Sequence, residues 1–323
     1  MLLDKKLEIY SLEICFKITE TMTLPIYKGF KIYGIMGDAL RKVFCSDLDC
    51  LDCSRCSEKF DCRFAEFFQS IKKDITALPE QYRKYSNLPS RFSIIPPLNK
   101  KRYFLKGELF SNQFDFLGNI SSYFPLITTM LENMKEFKPG YKSGGRFKLQ
   151  FIKNKANNKI VYEKGKFYPE NLEKFPINFN DEINEKYFQL EFITPARLTY
   201  KEKHIMDELT GEILIERIRE RAMLLLLLYS DIKDIPEIQK DAIEILEKKL
   251  FWKEYQHRSF RQNNVNMYGG FIGRIKIKIN DPTIIPYLKL LELMHLGSNA
   301  KAGFGKFKIA TILRKKKLQQ GRQ

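Results

Sequence analysis

Five of the six cysteines lie close together, and their spacing indicates a metal site. They are Cys45, Cys50, Cys53, Cys56 and Cys62. Four thiolates satisfy the tetrahedral coordination of zinc, and the two residues between Cys53 and Cys56 allow adjacent ligands on one turn. We predict a structural zinc ion, favoured over an iron–sulfur cluster, because four thiolates leave no open position for a substrate. The spacing leaves open which of the five cysteines is the spare one.

A second candidate site lies near the end of the chain, where glycines and lysines follow a histidine. Residues 295–306 read HLGSNAKAGFGK. Glycine allows positive φ angles and close backbone approach to a bulky ligand, and exposed amides beside lysines can hold a phosphate. We predict phosphate contacts from Gly297, Gly303, Gly305 and Lys306, although a helix C-cap at Gly297 would explain part of the pattern.

Basic and amide side chains upstream of this loop extend the candidate binding surface. Arg258, Arg261 and Gln262 can contact phosphates or base edges, and Arg274 is a further basic candidate. The charge distribution agrees, since the chain carries a net charge of +17 and 15 lysines and arginines follow residue 250 against three acidic residues. Such an uneven excess of positive charge favours a polyanionic partner, and nucleic acid in particular.

A membrane role is not expected from the apolar patterns. The longest purely apolar run, Ala222–Tyr229, is far shorter than the ~20 residues of a membrane span, and no basic amphipathic helix with a Trp-rich face is evident. Residues 1–6 lack the pattern of a secretory signal, which predicts a cytoplasmic location. In that reducing compartment the cysteines favour a metal site over disulfides.

The order of the apolar patterns predicts an α+β fold with two copies of one unit. The first copy has strand 7–18, helix 35–44, strands 93–98 and 103–116, helix 120–137 and strand 146–153; the second has strand 187–197, helix 209–229, strands 255–262 and 271–279, helix 283–296 and strand 304–313. This repeated βαββαβ order predicts two tandem ferredoxin-like, RRM-like modules. We place them at 1–180, with the cysteine-rich insertion at 45–62, and at 187–315, with the glycine-rich loop at 297–305, followed by a basic tail at 316–323.

Six short motifs, in order along nearly the whole chain, carry a resemblance to a known family. They are LP at 24–25 with GIMGDALR at 34–41, the cysteine spacing at 53–62, FITPARL at 192–198, RSFRQ at 258–262, GG at 269–270, and HLG at 295–297 with GFG at 303–305. The chain resembles the CRISPR-associated repeat-processing endoribonucleases of the RAMP superfamily, which cut precursor CRISPR RNA.

The resemblance implies cleavage within each repeat by a metal-independent reaction. The ribose 2′-hydroxyl attacks the adjacent phosphate and leaves a 2′,3′-cyclic phosphate and a 5′-hydroxyl. This chemistry requires a base, an acid and cations at the phosphorane, and a histidine suits the proton transfers. His295 is our first candidate because it adjoins the glycine loop, His257 is the second, and Lys301 is the candidate for charge stabilisation. Tyr27 or Tyr33 could replace a histidine as proton carrier.

The same resemblance implies a zinc ligand set and partners. The four cysteine positions of the family's cysteine-bearing branch match Cys45, Cys53, Cys56 and Cys62, which leaves Cys50 as the extra one. The implied partner is CRISPR repeat RNA, with effector-complex subunits and a homodimer left open. Many relatives carry a catalytic histidine on the first helix, whereas helix 35–44 contains none. The alternative is therefore a non-catalytic RAMP subunit that holds guide RNA in an effector complex.

Overall fold

The computed structural model describes most of the chain. The described stretches are residues 7–50, 52–72, 75–76, 78–83, 88–137, 144–177, 185–232, 236–259 and 264–312. The predicted basic tail at 316–323 lies outside the described residues, as do Arg261 and Gln262.

The first half of the described chain builds a large antiparallel sheet, a separate two-stranded sheet of β2 and β4, and helices. Its elements are β1 (Ile9–Ile18), β2 (Met22–Thr23), α1 (Gly29–Phe44), α2 (Arg63–Phe67), α3 (Glu80–Arg83), β3 (Phe92–Ile95), β4 (Tyr103–Phe104), β5 (Leu109–Leu117), α4 (Phe124–Asn133), β6 (Glu136–Phe137), β7 (Gly145–Asn154), β8 (Ile160–Glu163) and β9 (Lys166–Phe167). The central strand β1 is buried along nearly its whole length because it pairs with β5 on one side and β7 on the other.

The second half builds a four-stranded sheet with two long helices. Its elements are β10 (Tyr187–Ala196), β11 (Thr199–Tyr200), β12 (Lys203–His204), α5 (Gly211–Tyr229), β13 (Ile243–Ser259), β14 (Asn264–Ile279), α6 (Ile285–Met294) and β15 (Phe307–Thr311). The leucine-rich run of α5 lies in the core of this half, where Leu225 and Leu226 are almost fully buried. Of the helices in the described part of the chain, none is both long and apolar enough to span a membrane.

The two halves share one strand order, which confirms the predicted α+β fold with two ferredoxin-like units. The principal strands lie in the order β3-β5-β1-β7 in the first sheet and β13-β14-β10-β15 in the second. In each unit the first strand is therefore central, between the third and the fourth, and one helix follows the first strand and another the third. Each unit also has its own apolar core.

The starts of α1 and β13 are among the boundaries that differ from the sequence prediction. Helix α1 begins at Gly29 and not at residue 35, because Phe30 and Ile32 are buried and extend its apolar face towards the N-terminus. Strand β13 begins at Ile243 and not at residue 255. Residues 243–250 are rich in Glu, Lys and Leu, which favour helix, but pairing with β14 throughout this stretch overrides that local preference.

Candidate active site

The long hairpin of β13 and β14 extends beyond its sheet and reaches the first half of the molecule. The pairing of β10 with β14 ends at Phe271. The pairing of β13 with β14 continues beyond that point, up to Ser259 and Asn264. We call this projecting part, Lys253–Ser259 with Asn264–Gly270, the arm.

The arm packs against the start of α1 through aromatic rings, and this contact defines the junction of the two halves. Tyr255 of the arm stacks on Tyr27 with ring centroids 4.6 Å apart, and Tyr268 stacks on Phe30 at 4.3 Å. Phe304, from the glycine-rich loop, meets Tyr27 edge-on at 5.3 Å. Because each ring comes from a different element, the packing fixes α1, the arm and the loop relative to one another.

His257 lies at the outer side of this junction. Its ring stacks on Phe30 with centroids 5.3 Å apart and is half-buried. Burial and, to a smaller extent, the positive charge of Lys31 on α1 lower the pKa of His257. Burial likewise lowers the pKa of Lys31. The junction thus places an imidazole whose neutral form is favoured beside a lysine, with one face of the ring fixed by an aromatic neighbour.

The glycine-rich loop is fastened to the end of β10 by hydrogen bonds. The buried Thr194 hydroxyl donates to the Gly303 carbonyl at 2.7 Å and accepts from the Lys306 amide at 2.9 Å. Gly303 has a φ of +91°, and a Cβ at this position would lie 2.8 Å from the Tyr27 hydroxyl oxygen. Glycine is required there by close packing inside the protein, since Gly303 and Gly305 are both buried and Gly297 is partly buried.

His295 is enclosed in the same packing. Its side chain has no exposed surface, and its Nδ1–H donates to the Phe304 carbonyl at 3.0 Å. Burial, followed by the charges of Lys306 and Arg221, lowers its pKa well below the ordinary value. Arg221 in turn donates to the His295 carbonyl at 2.6 Å. Within the described part of the chain, the structure therefore places His295 inside the packing that holds the loop, with its side chain closed off from solvent.

The lysines of the loop also turn inwards. Lys301 donates to the Phe68 carbonyl at 3.4 Å, and burial lowers its pKa to about 8. Lys306 is buried and donates to the Glu292 carbonyl, and burial lowers its pKa too. Both ammonium groups bridge elements of the fold.

The predicted basic residues upstream of the loop are divided between two places. Arg258 follows His257 near the end of β13, and Arg261 and Gln262 lie outside the described residues. Arg274 is exposed on the body of the second sheet, where it forms an ion pair with Glu191 at 3.9 Å. The structure thus brings Arg258 to the end of the arm and leaves Arg274 on the sheet.

The sequence analysis did not single out Lys31, and it offered Tyr27 as an alternative proton carrier. Lys31 lies in the first turn of α1, three residues before the GIMGDALR motif, and only the packing of the arm identifies it. Tyr27 donates its hydroxyl hydrogen to the Ala302 carbonyl at 2.9 Å, and burial raises its pKa well above the ordinary value. This tyrosine is therefore a packing residue of the junction, since its proton is held inside the protein.

The cysteine segment connects α1 to α2 and does not gather its thiols. Among the described residues, no three His, Cys, Asp or Glu side chains are grouped closely enough to hold a metal ion. The thiols contact carbonyls: Cys45 donates to Asp47 at 3.0 Å and Cys50 to Asp52 at 3.3 Å. The Cys56 amide does bond to the Cys53 carbonyl at 3.4 Å, which forms the tight turn that zinc knuckles use. The cysteine thiols are donors that suit zinc, but they would have to move closer together to coordinate the ion.

Zinc therefore stays a prediction with a direct test. We expect elemental analysis of the purified protein to find about one zinc ion per chain. Replacing Cys53 and Cys56 with serine should abolish the metal and lower the thermal midpoint of unfolding, whereas the matched variant Cys50→Ser should keep both. A preparation free of zinc, or one containing iron with visible absorbance, would contradict the prediction.

Comparisons with known proteins cover both halves of the chain. Residues 190–307 match the family model of the CRISPR-associated endoribonuclease Cas6, and residues 7–175 match a family model described as an N-terminal domain. No curated protein matches the chain.

Solved structures give the same fold. A partial Cas6-RT-Cas1–Cas2 complex matches at 14% identity with a TM-score of 0.54, over 97% of this chain and 48% of that one. The Cas6-RT-Cas1–Cas2 complex matches at 14% identity and 0.54 over 97% of this chain and 30% of that one, so this chain spans about half or less of those proteins. A Cas6 product complex matches at 12% identity with a TM-score of 0.50, over 94% of this chain and 100% of that one.

Proposed function

Since the chain belongs to the Cas6 family of CRISPR-associated endoribonucleases, within the RAMP superfamily, we propose that it cuts precursor CRISPR RNA within the repeats. The observation that carries the proposal is the half-buried His257 beside Lys31 at the junction of α1 and the arm. This is a place where a proton acceptor and a cation lie together near the surface, as strand cleavage requires.

In the proposed reaction, His257 accepts the proton of the ribose 2′-hydroxyl as the 2′-oxygen bonds to the adjacent phosphorus. The bond between phosphorus and the 5′-oxygen breaks, and the 5′-oxygen takes up a proton from water. The products are a 2′,3′-cyclic phosphate and a 5′-hydroxyl, and no metal ion takes part. The lowered pKa of His257 keeps the accepting nitrogen free at pH 7. Lys31 stabilises the negative charge that develops on the phosphorane.

The neighbouring groups take supporting roles in this proposal. Arg258, with Arg261 and Gln262 shortly after it in the sequence, contacts RNA phosphates or base edges next to the cut. The loop containing His295, Lys301 and the glycines positions α1 against the arm, because its hydrogen bonds and its Phe304 ring lie inside the junction.

Cleavage assays with and without the attacking hydroxyl test the proposal. We expect purified protein to cut its repeat RNA in EDTA and to leave intact an analogue with a 2′-deoxy sugar at the scissile position. Bound but uncut deoxy RNA is the matched control, since it retains every other contact. Cutting of the deoxy analogue would contradict the proposed nucleophile, and activity lost only in EDTA would contradict metal independence.

The second candidate function is a guide-RNA-binding subunit without catalysis. It is favoured by one observation, that α1 contains no histidine between Gly29 and Phe44. The same assay separates the two functions, because such a subunit would bind repeat RNA in EDTA and leave it uncut at every pH.

A further inference from the structure

The base of the arm carries an exposed aromatic pair that the proposed cleavage does not use. Trp252 is 38% exposed, and the ring of His204, on the β11–β12 hairpin, is exposed as well. Their centroids lie 6.3 Å apart with an angle of 30° between the planes. At this separation the two rings do not stack closely on each other, so aromatic surface remains open to a third ring.

Both rings are fixed at their edges. The indole N–H of Trp252 donates to Glu254 at 2.8 Å, and the ring lies across Gly269 of the neighbouring strand, where a Cβ would be 2.7 Å from it. The imidazole of His204 accepts at Nε2 from Arg197 at 3.1 Å, and its Nδ1–H therefore donates to the Thr199 hydroxyl at 3.2 Å. Because these contacts fix the rings before a ligand arrives, they reduce the entropy lost when a ligand stacks on them.

The surroundings of the pair are suited to a nucleic-acid strand. Arg197 adjoins His204, and Lys201 and Lys203 are exposed on the same hairpin. Trp252 is five residues before His257 on β13, which corresponds to about 16 Å along an extended strand. The two side chains point to opposite faces of the arm, and β13 is an edge strand, so an RNA chain can cross it between the two sites.

We propose that Trp252 and His204 form a stacking site for an unpaired base of single-stranded RNA next to the cleavage site. Base stacking on a fixed aromatic ring contributes affinity without reading the base identity, and the adjacent cations contact the flanking phosphates. This proposal rests on the proposed function in one respect, that the chain binds RNA.

Intrinsic fluorescence tests the stacking directly, because Trp252 is the only tryptophan of the chain. The probe is a ten-nucleotide oligoadenylate, and its control is an abasic strand with the same number of phosphates. We expect oligoadenylate to quench the indole emission and the abasic strand to bind without quenching. Trp252→Ala should weaken oligoadenylate binding, measured by anisotropy, by about tenfold to a hundredfold.

Matched variants exclude a general effect of changing the arm. His204→Ala should weaken binding in the same direction, Trp252→Phe should retain part of the affinity, and Phe251→Ala should bind like the unchanged protein, since Phe251 is exposed on the other face of β13. If oligoadenylate binds without quenching the indole emission, or does not bind at low salt, the proposed stacking site is refuted. If the protein still cleaves repeat RNA in those cases, the proposed function is not contradicted.

Discussion

Replacing His257 with alanine is expected to slow the cleavage of repeat RNA by about a hundredfold or more under single-turnover conditions. The reason is the loss of the proton acceptor at the junction, while Lys31 and the arm stay in place. In the unchanged protein the rate should be level near pH 7 and fall on acidification. Because burial and Lys31 lower the pKa of His257, its protonation, and with it the fall in rate, lies below the ordinary value of 6.5.

A second substitution separates proton transfer from packing. His257→Phe retains a ring that can stack on Phe30 but cannot accept a proton, so it should be as slow as His257→Ala while binding RNA with unchanged affinity. If His257→Ala cuts within a few-fold of the unchanged protein, the assignment is refuted. If cleavage is lost only in a folded His295→Ala variant, the role of proton acceptor belongs to His295 instead.

The two-unit fold could be predicted because its signals are local. Apolar residues alternate along β1 and β10 and recur at helical spacing in α1 and α6, and the same order occurs twice. The extent of β13 could not be predicted in this way. Residues 243–250 favour helix locally and become a strand only by pairing with β14, a partner that single-sequence patterns do not identify.

The candidate site was only partly predictable for a related reason. The chemistry of histidine and of basic side chains singled out candidates in the second unit, His257 among them, but Lys31 and His257 are more than 200 residues apart in sequence. They meet because the arm extends past its own sheet and packs on Phe30 of α1. No local pattern encodes that contact.

The glycine-rich loop shows how one motif can serve two structural purposes. Glycines beside lysines predict a loop that holds a phosphate. A phosphate-binding loop and a loop packed inside the protein both require close backbone approach, which glycine allows. In this fold the close approach is to Tyr27 and to β10, and the Lys301 and Lys306 ammonium groups bond to carbonyls of the protein. Burial decides between the two uses, and burial depends on the contact between the two halves.

Replacing Lys31 with methionine is expected to slow cleavage by about a hundredfold and to change its pH dependence. The slower rate follows from the loss of a cation that stabilises the phosphorane. The pH profile should shift because the charge of Lys31 lowers the pKa of His257; without it the pKa rises, and the fall in rate begins at a higher pH. Lys31→Arg should recover part of the rate, and Lys42→Met, an exposed lysine at the other end of α1, should have no effect. If Lys31→Met and the unchanged protein have equal rates and identical pH profiles, Lys31 takes no part in the reaction and His257 acts without it.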